Sequence, residues 1–319
     1  EVEYNLIKAA LPTITIDQVN ALSKNLITDD NRVVLVLGPE GQKYPTAEEL
    51  VATFDAVEKD QSIQPYKDEL TVTELMKQAP APGKVVSEKK YDKVGVTEWT
   101  LSNGAKVVLK PTTFKDDEIL FTASSWGGRS LYGAADDINV TNATGMIDGV
   151  NGIKDTDLQK LMAGKNVRVM PFIGTYTEGM NGNFVKKDMK DAFELIYLSF
   201  TAPYFTQEMF EVNKKNLKDN AATRMANPDA YMLPVQYDKM DLGRMEQIYK
   251  ERFAGADDFT FVFVGSFTPE QIKPFVETYI ASLPAKGVKE EYKDLNLDYP
   301  KGPVTTTINK GVDQKAQVD

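Results

Sequence analysis

Chemistry needs side chains that can hold a proton, a metal or a nucleophilic electron pair, and this 319-residue sequence supplies them unevenly. It has no histidine and no cysteine. Alone it cannot build a His/Cys zinc site, a thiol nucleophile or a Ser-His-Asp triad. Acids remain: Asp116-Asp117-Glu118, Asp136-Asp137 and Asp257-Asp258 could serve as acid/base pairs or Ca²⁺ ligands. None has EF-hand spacing, and the plainer reading of adjacent loop acids is solvated or capping groups. Trp126-Gly127-Gly128-Arg129 could line a surface that another backbone approaches closely; the plainer reading is a tight strand exit. Gly38-Pro39-Glu40-Gly41 and Gly265-Ser266 each lie between strand and helix patterns, where a phosphate can sit. Neither has P-loop or G-x-G-x-x-G spacing, so ordinary turns are expected. Asn139-Val140-Thr141 and Asn142-Ala143-Thr144 match the glycosylation sequon, which matters only in a eukaryotic secretory setting. No residue is assigned as catalytic, cofactor-binding or metal-binding.

Composition narrows the classes further. Lysine and arginine number 37 against 47 acids, a net charge of -10, which argues against a nucleic-acid binder with its basic face. No run approaches the ~18 apolar residues of a membrane span. The absence of cysteine leaves the redox compartment open. The opening EVEYNLIKAALP carries acids where a signal peptide is basic and does not begin with methionine; a processed chain or a piece of a longer one is expected.

The elements that would position these residues repeat. In the first stretch Thr15 and Gln18 form a capping box before Val19, Leu22 and Leu26. Asp29-Asp30 makes a turn, Val33–Leu37 reads as a strand ending at Gly38, and Thr46 and Glu49 cap a helix through Leu50, Phe54 and Val57. The same order recurs later. Met245, Ile248, Tyr249 and Phe253 mark a helix, Asp257-Asp258 a turn, and Phe259–Val264 a strand ending at Gly265; Thr268, Pro269 and Gln271 open a capped helix. A second echo pairs Val96–Gly104 with Val304–Gly311, each after a Pro/Lys-rich stretch read as a linker. These offsets are domain-sized, far beyond the ~20–50 residues of a solenoid repeat.

Between the echoes lies a complete pattern. Val96–Leu101 and Ala105–Lys110 flank Asn103-Gly104, the signal for a two-residue type I′ hairpin. Ile119–Ser125, Val167–Phe172 and Thr175–Phe184 read as strands, and Asp155–Met162, Asp188–Phe200 and Thr206–Met225 as helices. Hairpins first and helices grouped later give an α+β class, not a doubly wound parallel sheet.

TEWTLSNGAKVVLKPTTF, LFTASSWGGRS, DLQKLMAGKNVRVMPFIGTYTEGMNGN, ELIYLSFTAPYF and IYKERFAGADDFTFVFVGSFTPEQIKPFVETYIASLP occur in the order found in the pitrilysin/insulinase family of zinc peptidases. The chain resembles the long, single-chain bacterial members of that family over nearly its whole length. The resemblance implies a metallopeptidase-like (mitochondrial processing peptidase-like) fold of four related α+β units around a closed chamber. Catalytic units carry an inverted His-x-x-Glu-His helix and a downstream Glu that together hold zinc. The matching stretches here, LYGAADDINVTNATGM and FEVNKKNLKDNAATRM, offer no histidine and mostly asparagine and lysine. No catalytic or metal residue is carried over.

The expectation is therefore one complete non-catalytic α+β unit over 94–285, the end of a preceding unit over 1–60, a linker over 61–93, and a linker with the first strand of the next unit over 286–319. By resemblance, the segment forms the chamber wall opposite the zinc of a metalloendopeptidase, with zinc held by the parent polypeptide and not by this segment. Its partners are the catalytic half of the same polypeptide and a peptide or small-protein substrate, with no nucleic acid and no membrane span; the location is the periplasm or cell envelope. Two alternatives stay open: a non-catalytic structural or peptide-binding subunit that pairs with a separate catalytic partner, and a stand-alone solute-binding protein.

Overall fold

The computed structural model describes residues 1–23, 25–26, 30, 32–64, 67, 72–224, 236–296, 301–305, 307 and 309. The chain divides into two units, Glu1–Asp68 and Glu69–Asp319.

The first unit holds three helices: α1 (Val2–Ala10), α2 (Ile16–Ser23) and α3 (Ala47–Lys59). Both expected capping boxes form. Thr15 and Gln18 exchange backbone-to-side-chain hydrogen bonds ahead of α2, and Thr46 and Glu49 do the same ahead of α3, satisfying amide groups that a helix start otherwise leaves unpaired. Val33–Leu37, expected as a strand, is not one. A strand needs a hydrogen-bonding neighbour, and among the described residues this unit has none; Val33 is 90 % exposed. Asp29 of the expected acidic turn lies outside the described residues. No described residue of this unit is buried, and the apolar side chains of Val19, Leu22, Phe54 and Val57 face solvent.

The second unit runs β1 (Val85–Tyr91), β2 (Val96–Leu101), β3 (Lys106–Pro111), β4 (Ile119–Trp126), α4 (Asp137–Asn142), β5 (Ile147–Val150), β6 (Ile153–Lys154), α5 (Asp155–Leu161), β7 (Val167–Ile173), β8 (Thr177–Phe184), α6 (Met189–Thr201), β9 (Pro203–Phe205), α7 (Gln207–Arg224), α8 (Leu242–Arg252), β10 (Thr260–Gly265) and α9 (Pro269–Phe275). A seven-stranded sheet has the order β1-β2-β3-β10-β4-β8-β7, and a small second sheet the order β6-β5-β9. In the large sheet only β3 and β10 are parallel. The α+β class read from the sequence holds.

Alternation builds the core. In β4 the side chains of Ile119, Phe121, Ala123 and Ser125 are buried while their neighbours face out. Phe121, Phe184 and Phe263 meet Phe193 and Ile196 of α6 and Ile272 of α9 in one cluster, with Phe193 stacked on Phe263 at 5.3 Å. A second cluster, Val140, Phe210, Met245 and Ile248, joins α4, α7 and α8.

Three readings are corrected. Asn103 does not take positive φ; only Gly104 does, at +94°. Gly104 N–H donates to Leu101 O and Leu101 N–H to Ala105 O, so the hairpin closes by a three-residue loop with a left-handed glycine instead of a type I′ turn. The Asn103 amide is otherwise employed, donating to Ile280 O and Leu283 O at 2.8 and 3.0 Å. Second, Val85–Tyr91 lies in the stretch read as a linker but forms β1, paired with β2. All its residues after Val85 are exposed, and a charged edge strand has no hydrophobic signature. Third, half of the strand expected over Val304–Gly311 falls outside the described residues, and the described Val304, Thr305, Thr307 and Asn309 lie in no strand.

Candidate functional site

The strand exit Trp126-Gly127-Gly128-Arg129 sits against a buried polar cluster of the second unit. Gly127 and Gly128 have φ of +138° and +57°. A Cβ on Gly127 would lie 2.7 Å from Arg252 Nη1, and one on Gly128 would lie 2.5 Å from Gly174 O. The glycines thus let the chain turn against Arg252 and the β7–β8 connection, as the plainer reading holds. The amide of Gly128 donates to Glu178 Oε2 at 2.5 Å.

Glu178, on β8, is 0 % exposed and Arg252, at the end of α8, is 5 % exposed. Arg252 donates through Nη1 and Nη2 to Glu290, at 2.9 and 3.1 Å, and through Nε to Tyr132 Oη at 3.1 Å; Glu178 Oε1 is 3.4 Å from Nη1. Burial pushes the Glu178 carboxyl up to about 7, against the pull of the Gly128 amide and Arg252 and with the push of Glu290 and Asp258. Burial acts against Glu290 too, but Arg252 and Lys286 outweigh it and hold its pKa below the usual range. Both carboxylate oxygens of Asp258 and the hydroxyl of Ser125 are buried with no well-aligned hydrogen bond, and burial raises the Asp258 pKa against the pull of the nearby Ser125 hydroxyl and Glu290 backbone.

This cluster fastens the chain beyond α9. Asp257 accepts from the amides of Lys286 and Gly287, both at 2.7 Å. Ser130 Oγ accepts from Lys293 N–H at 3.0 Å, and Tyr292 packs between Trp126 and Tyr176 with ring centroids at 5.3 and 5.1 Å. Residues 286–293, read from sequence as linker, are therefore gripped by the unit. One local signal for Arg252 exists: it continues the buried positions Met245, Ile248 and Tyr249 of α8, a charge at a core position of the helical period. Glu290 lies in a polar stretch without period and carries no such signal. The arrangement holds a segment.

The remaining candidate residues serve local structure. Asp136 takes a two-pronged ion pair from Arg244, at 3.0 and 2.6 Å, which holds its pKa low despite some burial. Asp117 accepts from the Lys186 amide and Asp116 O from Ser266 Oγ. A Cβ on Gly265 would strike Glu118 O, and the amides of Ser266 and Phe267 donate to Glu118 O and Gly265 O, as in an ordinary turn. Gly38 is filled by Tyr44, whose hydroxyl donates to Pro39 O. Asn139 is 5 % exposed and its Oδ1 accepts from the Asp241 amide at 2.9 Å, so the folded chain offers it to no glycosylating enzyme; Asn142 Nδ2 donates to Ile138 O.

The two stretches that the resemblance sets against the family's metal-bearing elements do meet. Asn213 of α7 donates to Gly145 O, in the 3₁₀ turn after α4, at 3.0 Å, and Lys214 donates to Met240 O at 3.2 Å. Amide and ammonium groups do not fit a zinc site, which needs imidazole, thiolate or carboxylate. Among the described residues no group of three acidic side chains could hold a metal ion, and no helix is long and apolar enough to cross a membrane.

Residues 239–318 match the M16 peptidase inactive domain. The chain is 26 % identical over 306 residues to a zinc protease PQQL-like protein of Arabidopsis thaliana, a match covering 89 % of this chain and 30 % of that protein. It is 19 % identical over 304 residues to the probable zinc protease PqqL of Haemophilus influenzae, covering 89 % and 33 %. Its fold is similar to that of the periplasmic protease PqqL from Escherichia coli, with a TM-score of 0.63 at 15 % identity over 92 % of this chain and 35 % of that one. It is similar too to a mutant of the ferredoxin protease FusC solved with Arabidopsis ferredoxin, with a TM-score of 0.59 at 16 % identity over 90 % and 34 %. The chain spans about a third of the length of these relatives. The inactive-domain match over residues 239–318, the zinc-protease relatives and the shared fold agree with the resemblance to the pitrilysin/insulinase family carried by the sequence.

Proposed function

We propose that this chain is a non-catalytic segment of a zinc-dependent metalloendopeptidase, contributing wall to a peptide-holding chamber opposite the zinc and docking against the catalytic half of the same polypeptide. The observation that carries the proposal is the contact of α7 with the turn after α4, the two elements that the resemblance sets against the metal-bearing ones, where Asn213 and Lys214 bond to backbone carbonyls. The unburied apolar side chains of Val19, Leu22, Phe54 and Val57 support reading 1–60 as the closing part of a preceding unit whose sheet would cover them. The complete unit expected over 94–285 takes in β1 from Val85 and the gripped residues 286–293 as well, and the chain beyond leads to the next. Zinc belongs to the longer polypeptide, the substrate is a peptide or small protein, and the compartment is the periplasm or cell envelope, as for the Escherichia coli relative.

The test is expression of the whole open reading frame that contains this segment. One zinc per chain is expected, with peptide hydrolysis that a chelator abolishes. A reading frame without an inverted zinc motif, active only when a second protein is added, would contradict the proposal and favour a non-catalytic subunit with a separate catalytic partner.

A further inference from the structure

Arg129 ends the Trp126-Gly127-Gly128-Arg129 exit, in the 3₁₀ turn after β4, and its place is fixed twice over. Its backbone amide donates to Gly174 O and that of Ser130 to Thr175 O, at 2.8 and 2.9 Å. Its half-buried side chain donates through Nη1 to Thr141 Oγ1 of α4 and through Nη2 to Thr175 Oγ1, each at 3.1 Å. Both acceptors are neutral hydroxyls, and they leave other N–H groups of the guanidinium unspent. Among the described residues no carboxylate pairs with it; Asp136 is taken by Arg244. A side chain that keeps its charge at any ordinary pH is thus held in one orientation without a counter-charge.

Two cavities adjoin this guanidinium. One, about 650 Å³, is lined by Arg129 and Lys239 with Ala134, Ile138 and Tyr237 as apolar wall, a size within the ~300–1,000 Å³ of small-ligand sites. The other, about 380 Å³, reaches Thr175 and Leu295. Arg129 borders both, so an occupant of either meets it. Lys239 is exposed and has no acidic partner among the described residues; its neighbour Asp238 pairs with Lys218. Asp137 is the acid of both cavities, and its single charge is set against two cations. The planar fork of a guanidinium matches a carboxylate, which accepts two N–H groups at once. The threonine hydroxyls already fix the fork, so little side-chain entropy remains to be lost on binding.

We propose that Arg129 is a carboxylate-binding residue: a peptide carboxylate docks on its guanidinium, drawn in also by Lys239, with the adjacent peptide residues in the adjoining cavities. The carboxylate is either a chain terminus or an acidic side chain, and the test separates the two. That it arrives on a peptide rests on the reading of this chain as part of a peptide-degrading enzyme. Binding by the 319-residue chain needs no zinc and no catalysis, so it is measured apart from that reading.

The test is fluorescence anisotropy of the 319-residue chain at low salt with pentapeptides that carry a neutral label at the N-terminus. One pair is an alanine peptide as free acid and as C-terminal amide; the other is an amidated peptide with a central glutamate or glutamine. Saturable binding of the free acid, the glutamate peptide or both is expected, about tenfold or more tighter than the counterpart without a carboxylate. A preference confined to the first pair assigns the chain terminus, and one confined to the second assigns the side chain. Arg129→Lys keeps the charge but loses the fork, and is expected to weaken the carboxylate peptide about fivefold or more. Lys239→Glu, at an exposed position where folding is not at stake, is expected to weaken it about threefold or more. Absence of saturable binding, equal affinity within both pairs, or parental affinity in either variant would overturn the proposal. Any of these would leave zinc binding and hydrolysis by the full reading frame as expected above.

Discussion

Arg252 grips Glu290 with both terminal nitrogens, at 2.9 and 3.1 Å, and so ties the end of α8 to a stretch of chain beyond the last helix. Glu178 crowds the same guanidinium from β8, leaving two carboxylates around one buried cation. Breaking a buried ion pair by removing one partner costs about 3–5 kcal/mol, because the charge left behind has no water to turn to. Arg252→Ala is expected to lower the stability of the Glu69–Asp319 unit by about that much. Both tryptophans, Trp99 and Trp126, lie in this unit, so urea unfolding followed by tryptophan fluorescence reads it selectively. A midpoint equal to that of the parent would show that the pair is not a fastening.

The same cluster sets a pH dependence. The carboxyl of Glu178 titrates near 7 when folded, against 4.5 as the ordinary value. The folded unit therefore binds more protons than the unfolded chain between these values, and stability falls as pH rises. The loss is on the order of 3 kcal/mol from pH 4.5 to above 7, at 1.36 kcal/mol per pH unit. Asp258, also raised by burial, adds in the same direction. Below pH 4 the sign reverses, as Glu290, Asp257 and Asp136, held low when folded, take up protons. Glu178→Gln should flatten the fall between pH 5 and 8 in urea midpoints; an unchanged slope would remove Glu178 as its cause.

Phe193 occupies the centre of the core, fully buried and stacked on Phe263. Phe193→Ala is expected to cost about 3–5 kcal/mol, read as a lowered urea midpoint. Phe193→Leu should cost clearly less, since it leaves the smaller cavity.

Gly128→Ala tests the strand exit. The left-handed φ alone costs an alanine about 1–2 kcal/mol, and the new methyl would lie 2.5 Å from Gly174 O. Differential scanning calorimetry should show a lowered transition. Gly133→Ala, where no atom lies within 4 Å of the added Cβ, should leave it nearly in place.

Features written in neighbouring residues were legible in the sequence. Thr46 with Glu49, and Thr268 with Gln271, specify helix starts at three-residue range, and both capping boxes form. The alternation of Ile119–Trp126 and the helical period of Met189–Thr201 place the core faces of β4 and α6. What escaped depends on distant partners. Val33–Leu37 has strand composition but no described neighbour to pair with, whereas the polar Val85–Tyr91 becomes a strand because β2 accepts it. Asn103-Gly104 announces a turn; the bonds from Asn103 to Ile280 and Leu283 accompany a different turn type. Arg252 and Glu290 lie on separate elements, so nothing local in the sequence joins them.

The central claim, that this segment supplies structure and not metal chemistry, is tested most directly by zinc analysis of the purified 319-residue chain after loading with excess zinc and exhaustive dialysis. Zinc far below one per chain is expected, because the stretches that meet around Gly145 carry asparagine and lysine where a metal needs histidine. One tightly held zinc per chain would contradict it.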